Sequence, residues 1–125
     1  MVEKTLQHIK EVKYNYDMFI KSINDLSKQI NRFKYDGLYA VPRGGLVVGV
    51  CFAHRLGLPM LEKEHITNKT LLVDDICDTG KTFKKYPNND KVCLVAKTTG
   101  VCEVKNLIFD IGYEDNVWIN FWWEV

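Results

Sequence analysis

The chain has 125 residues, 46% apolar and 26% charged, a globular composition that excludes a disordered or fibrous protein. Seventeen Lys and Arg against sixteen Asp and Glu leave a net charge of +1, without the basic excess of a phosphate-backbone binder, so no nucleic acid partner is expected. The length suits one domain over residues 1–125, no apolar run nears the roughly 20 residues that cross a bilayer, and residues 1–13 show no apolar leader; the expectation is a cytoplasmic protein without membrane contact.

Tyr16-Asp17-Met18 opens an amphipathic helix in which Phe19, Ile23, Leu26, Ile30 and Phe33 recur at alternating spacings of four and three and draw one apolar stripe. Asp17 is the expected N-cap, and Gly37 lies beyond the end. Gly37 to Val41 reads as a short strand that ends at Pro42-Arg43-Gly44-Gly45. A buried helix follows from Leu46 to Leu56, stopped by Gly57 and Pro59. Leu71-Leu72-Val73 is a second strand, running into Asp74-Asp75 and then Asp78-Thr79-Gly80-Lys81-Thr82. Pro87-Asn88-Asn89-Asp90 limits the next helix to about one turn. Val92 to Ala96, Leu107 to Ile111 and Val117 to Phe121 complete the strands. Short apolar strands followed by glycine turns and helices predict an α/β fold with a mainly parallel sheet covered on both faces. Ligands of such sheets bind outside the carboxyl ends of the strands, where both glycine turns fall.

Cys51, Cys77, Cys93 and Cys102 form no Cys-x-x-Cys pair and have no His at ligand spacing, so reduced thiols are expected and not a zinc site. His8, His54 and His65 fall in no motif. Arg55, near the end of the buried helix, is expected to pair with an acid or meet a neighbouring subunit.

The stretch from Asp74 to Thr82 is the most informative. Gly80-Lys81-Thr82 invites a Walker A reading, but that motif needs glycine where Asp75 stands, so it fails. Thr79 to Thr82 still offers a flexible glycine, two hydroxyls and backbone N–H groups for a phosphate. Three carboxylates beside a phosphate repel it unless they hold hydroxyls or a metal, or take a proton. The diol of a ribose 5-phosphate answers to Asp74-Asp75, its phosphate to Thr79–Thr82. The plainer alternative is a strand-to-helix turn capped by Asp78. In Pro42-Arg43-Gly44-Gly45 the glycines admit a close ligand and Arg43 can fork onto phosphate, although a tight turn uses the same residues.

These residues resemble the type I phosphoribosyltransferases, whose signature is an apolar strand, two acidic residues and an Asp-Thr-Gly-x-Thr loop. Within them the chain is most similar to the bacterial xanthine-guanine enzymes. That likeness rests on the Tyr16-Asp17-Met18 helix, Val41 to Val47 as a pyrophosphate loop, Ala96-Lys97-Thr98-Thr99-Gly100 as a purine-facing segment, and Trp118-Ile119 with Phe121 to Glu124 as a tryptophan hood. The resemblance implies that a 6-oxopurine (guanine, xanthine or hypoxanthine) displaces pyrophosphate from 5-phosphoribosyl 1-pyrophosphate (PRPP), giving a purine nucleoside monophosphate in salvage. It implies that Asp74, Asp75, Asp78, Thr79, Gly80, Lys81 and Thr82 hold the ribose and its 5′-phosphate. Asp75 would meet Mg²⁺, and Arg43 and Gly44 the pyrophosphate. Asp78 would be the catalytic proton partner, with Lys97, Trp118 and Ile119 on the base. A cis peptide at Arg43–Gly44 and a homo-oligomer, dimer or tetramer, are implied as well. Trp122 and Trp123 fall to core or subunit contact.

The pattern departs from the family in two places: the helix after the phosphate loop is cut to about one turn, and the mobile loop is short. A long mobile loop is usual after the second strand, but here only Met60 to Lys69 precedes the signature strand, a shortened loop. Two alternatives therefore stand beside the enzyme: a regulator of the same fold that binds PRPP or nucleotide without transfer, and a phosphoribosyltransferase for another base.

Overall fold

The computed structural model describes residues 10–124, so His8 and most of the N-terminal stretch read above lie outside the described residues. Among the described residues no helix is long and apolar enough to cross a membrane.

Strand β1 (Lys10–Tyr14) was not evident in the sequence, because KEVKY carries three charges in five residues. Helix α1 (Tyr16–Ser27) follows. Its N-cap is Asn15, whose side-chain oxygen accepts the Met18 N–H at 2.9 Å; Asp17, expected there, sits inside the first turn, where its charge suits the helix dipole. The apolar stripe runs through Phe19, Ile23 and Leu26 and then stops. Asn31 caps a separate 3-10 turn over Arg32–Lys34, which carries Phe33 away from the core and leaves it 85% exposed beneath the Arg32 guanidinium.

Strand β2 (Gly37–Ala40) leads into α2 (Gly44–Leu56), which starts two residues before the expected Leu46. Gly57, at φ 68°, ends it in the left-handed conformation. The remaining elements are β3 (Thr70–Cys77), β4 (Lys91–Lys97), α3 (Thr98–Glu103), β5 (Leu107–Tyr113) and β6 (Val117–Phe121), with 3-10 turns at Lys63–His65 and Phe83–Lys85.

β2, β3, β4 and β5 form a four-stranded, wholly parallel sheet in that order. β6 does not extend it. It pairs with β1 in a separate two-stranded parallel sheet, Trp118 opposite Glu11 and Phe121 opposite Tyr14. Met60 makes a parallel bridge to Leu38, on the side of β2 away from β3. The chain thus leaves β2 toward one side through α2 and returns on the other as β3. This reversal opens a crevice at the carboxyl ends of β2 and β3.

One core lies between the sheet and the two long helices, with Phe19, Ile23 and Leu26 of α1 and Val48, Phe52 and Leu56 of α2 packed on Leu71, Val73, Val92 and Leu94. Among the described residues the second face is covered by short pieces, with Phe83 and Val104 against Leu72, Cys77, Cys93 and Ala96. Cys77 and Cys93 are buried there, Cys51 is half-buried, Cys102 is exposed, and all four are free thiols.

The shortened connection is also fastened. Asp36 accepts the hydroxyls of Thr67 at 2.5 Å and Thr70 at 3.0 Å, and the Asn89 amide donates to the carbonyls of both threonines. Residues 66–70 are held at the amino end of β3, not over its carboxyl end.

Candidate functional site

Face alternation along β3 slips at its two aspartates. Leu71 and Val73 enter the helix-covered core, yet Ile76 joins that same core and Cys77 goes to the other. The carboxylates take up the local backbone donors: Asp74 accepts the N–H of Asp75, and Asp75 that of Ile76, each at 2.8 Å. Asp74 and Asp75 therefore stand within β3, not beyond it as the sequence suggested. Asp75 is 7% exposed. Burial first, and then the neighbouring Asp75 carboxyl, push the Asp74 carboxyl well above the usual carboxylate range. Two acids this close and this dry are matched to a cation or to hydroxyl donors.

The glycine turn meets this pair directly. A Cβ on Gly44 would fall on the Asp75 carboxylate, so only a glycine lets the first turn of α2 approach it. The positive end of α2 then faces the buried acid. Arg43 is exposed and has α-helical backbone angles at the start of α2, and the cis peptide precedes it, at Pro42–Arg43 and not at the expected Arg43–Gly44.

Past β3 the chain makes a cradle. Asp74, Ile76 and Cys77, with Asp78 through Phe83, line a pocket of about 110 Å³. Gly80, at φ 85°, turns the loop, and the Thr79 hydroxyl accepts the Lys81 N–H at 3.3 Å. Among the described residues, no hydrogen bond from within the chain engages the N–H groups of Thr79, Gly80 or Thr82. Thr79, Lys81 and Thr82 are exposed, as a ligand-facing loop requires.

On the far side of the cradle stands Lys97, only 5% exposed at the end of β4. Its Nζ donates to the Asp115 carbonyl at 3.3 Å and lies 3.9 Å from a carboxylate oxygen of Asp78. Asp78 is well exposed, so the pair opens toward the crevice. Trp118 is 63% exposed on β6, whereas Ile119 next to it is 6% exposed and turned into the core, which leaves a ligand only its backbone. Trp123 packs in the core, stacked on Phe121 with ring centroids 4.7 Å apart; Trp122 is partly exposed beside Tyr16.

The structure thus brings Arg43, Gly44, Asp74, Asp75, Asp78, Thr79, Gly80, Lys81, Thr82 and Lys97 to the carboxyl ends of three adjacent strands. Asp115, which the sequence reading did not single out, joins them from the β5–β6 loop. Nothing local marks it, since its partners lie sixteen and eighteen residues earlier. Among the described residues no group of three or more His, Cys, Asp or Glu could hold a metal by itself. His54 and His65 lie outside the crevice.

No family model matches the chain. It is 28% identical to a xanthine-guanine phosphoribosyltransferase of Vibrio atlanticus, over 78% of this chain and 77% of that one. Among solved structures it is similar to a purine phosphoribosyltransferase from Pyrococcus horikoshii, with a TM-score of 0.75, 25% identity and coverage of 93% and 95% of the two chains. A xanthine-guanine-hypoxanthine phosphoribosyltransferase of Helicobacter pylori shares the fold, with a TM-score of 0.72 at 21% identity over 92% of this chain and 94% of that one.

Proposed function

We propose that this chain, a type I phosphoribosyltransferase similar to the bacterial xanthine-guanine enzymes, transfers the phosphoribosyl group of PRPP to a 6-oxopurine and releases pyrophosphate. The observation that carries the reading is the meeting of Gly44 with the Asp75 carboxylate beside the phosphate cradle. A ligand with a 5′-phosphate, a diol and a leaving pyrophosphate fits those neighbours in that order.

In this reading Thr79 to Thr82 hold the 5′-phosphate with backbone N–H groups and hydroxyls. Asp74 and Asp75 take the ribose hydroxyls. Arg43 and the Gly44 backbone hold the pyrophosphate and steady its charge as it leaves, and positive charge on the ribose is met by the acidic pair. Asp78 takes the proton from the purine imidazole ring, with the Lys97 ammonium 3.9 Å away. Lys97 donates to the oxygen at C6, and the open face of Trp118 stacks on the base.

The donor set also fits Mg²⁺. Two adjacent carboxylates offer oxygen only, and this ion accepts one or two carboxylates while drawing its remaining ligands from water and substrate phosphates. Asp75, with Asp74, would hold it; when bound, it supplies charge neutralisation for the pyrophosphate. We further read the 125 residues as one cytoplasmic domain acting in purine salvage, with self-association into a dimer or tetramer.

One observation favours a second reading, a binder of PRPP or nucleotide without transfer: residues 66–70 are fastened away from the crevice and cannot close over it. A single assay separates the two. The protein is given PRPP and Mg²⁺ with guanine, xanthine, hypoxanthine, adenine or uracil in separate reactions, and monophosphate is measured. Product from oxopurines is expected; PRPP binding with no product from any base would establish the binder.

A further inference from the structure

We infer that Asp115 is a positioning residue that holds the Lys97 ammonium and the loop leading into Trp118, and with them sets the selectivity for the base. The inference rests on the reading of Lys97 and Trp118 as the residues that meet the base.

Lys97 pairs with Tyr113 in the last register position of the β4–β5 ladder. Beyond it the two segments would part, but polar contacts continue the seam. The Thr98 hydroxyl donates to the Tyr113 carbonyl at 3.4 Å. The Asp115 carboxylate accepts the Thr99 N–H at 3.0 Å on one oxygen and the Thr99 hydroxyl at 2.5 Å on the other. The Asp115 carbonyl accepts Lys97 Nζ at 3.3 Å. One residue thus clasps the 97–99 segment through both its side chain and its backbone.

The clasp has two consequences. An ammonium has three protons, and the Asp115 carbonyl uses one, so the others are aimed at Asp78 and the crevice and not left to rotate. Trp118 lies only three positions past Asp115, so a bond that holds the loop also holds the start of β6. Asp115 is exposed, and its contacts add little to global stability; their effect falls on geometry. Misplacing either residue by about an ångström is enough to weaken a bound ring markedly.

The test uses the full chain with Asp115→Ala, Asp115→Asn, Thr99→Ala and Thr99→Ser. Ala should raise the KM for the 6-oxopurine about tenfold and narrow its advantage over adenine, while the KM for PRPP stays within about twofold. Asn keeps an acceptor for the Thr99 N–H and a donor for its hydroxyl, so it should restore most of the affinity; Thr99→Ser should behave as the parent and Thr99→Ala as a milder Asp115→Ala. An unchanged base KM and selectivity in Asp115→Ala overturns the inference. So does an equal loss for base and PRPP with a lowered melting temperature, which marks a merely structural contact. Hydrogen exchange at the Thr99 amide is read in the same proteins and needs no activity. Protection lost in Asp115→Ala and kept in Asp115→Asn is expected, and an amide unprotected in the parent overturns the clasp. If the parent transfers to no base, the proposed function falls while the exchange data still decide the clasp.

Discussion

Gly44 and Asp78 are tested by opposite arguments. At Gly44 the space is missing: a methyl group would occupy the position of the Asp75 carboxylate. Gly44→Ala should therefore lower PRPP affinity by about tenfold or more and cost about 1–3 kcal/mol of stability, read by calorimetric titration and thermal melts. At Asp78 the chemistry is at stake. The side chain is 64% exposed, so Asp78→Asn should move stability by no more than about 0.5 kcal/mol. Its transfer rate should fall by roughly 10²–10⁴ while PRPP binds as before. An unchanged rate would remove the proton role.

Among the elements, β1 and the strand it holds depend on one buried chain of hydroxyls. Tyr14 donates to Ser22 on α1 at 2.5 Å, and Ser22 donates to Asp110 on β5 at 2.5 Å. Burial pushes the Tyr14 hydroxyl up to about 12, with the bond to Ser22 opposing and the Asp110 charge adding to the rise. The proton is therefore held more tightly in the folded chain than in the unfolded one. That contribution is complete below pH 10 and disappears as the pH climbs through about 12. Tyr14→Phe should flatten this part of the alkaline denaturation curve, which circular dichroism follows. The same elements show what could be read from the chain alone. The Asp74–Thr82 stretch was legible because its chemistry is contiguous and its residue types are costly to place anywhere else. Periodicity carried α1 as far as Leu26, but it cannot register that Asn31 starts a new turn, so Phe33 was misassigned to the core. β1 was hidden because an edge strand paired on one side tolerates charge, and Asp115 because its partners are remote.

For the whole molecule, the consequence of the fastened 66–70 segment is a wet crevice. In the proposed enzyme the 66–70 segment is not placed to exclude solvent, so water competes with the base for the activated ribose. With PRPP and Mg²⁺ but no base, pyrophosphate should appear at on the order of a few per cent of the transfer rate. Its complete absence would mean that some other surface closes the site.

The parallel pairing of β1 with β6 bears on how the molecule is made. β1 is among the first parts of the described chain to be synthesised, and among the described residues its only neighbour in the sheet is β6, roughly a hundred residues later. The nascent chain can assemble β2, β3 and the phosphate cradle while β1 still has no strand to pair with. The wall that carries Trp118 is therefore finished last. A partly synthesised chain would own the proposed sugar-phosphate half of the crevice before it owns the proposed place for the base.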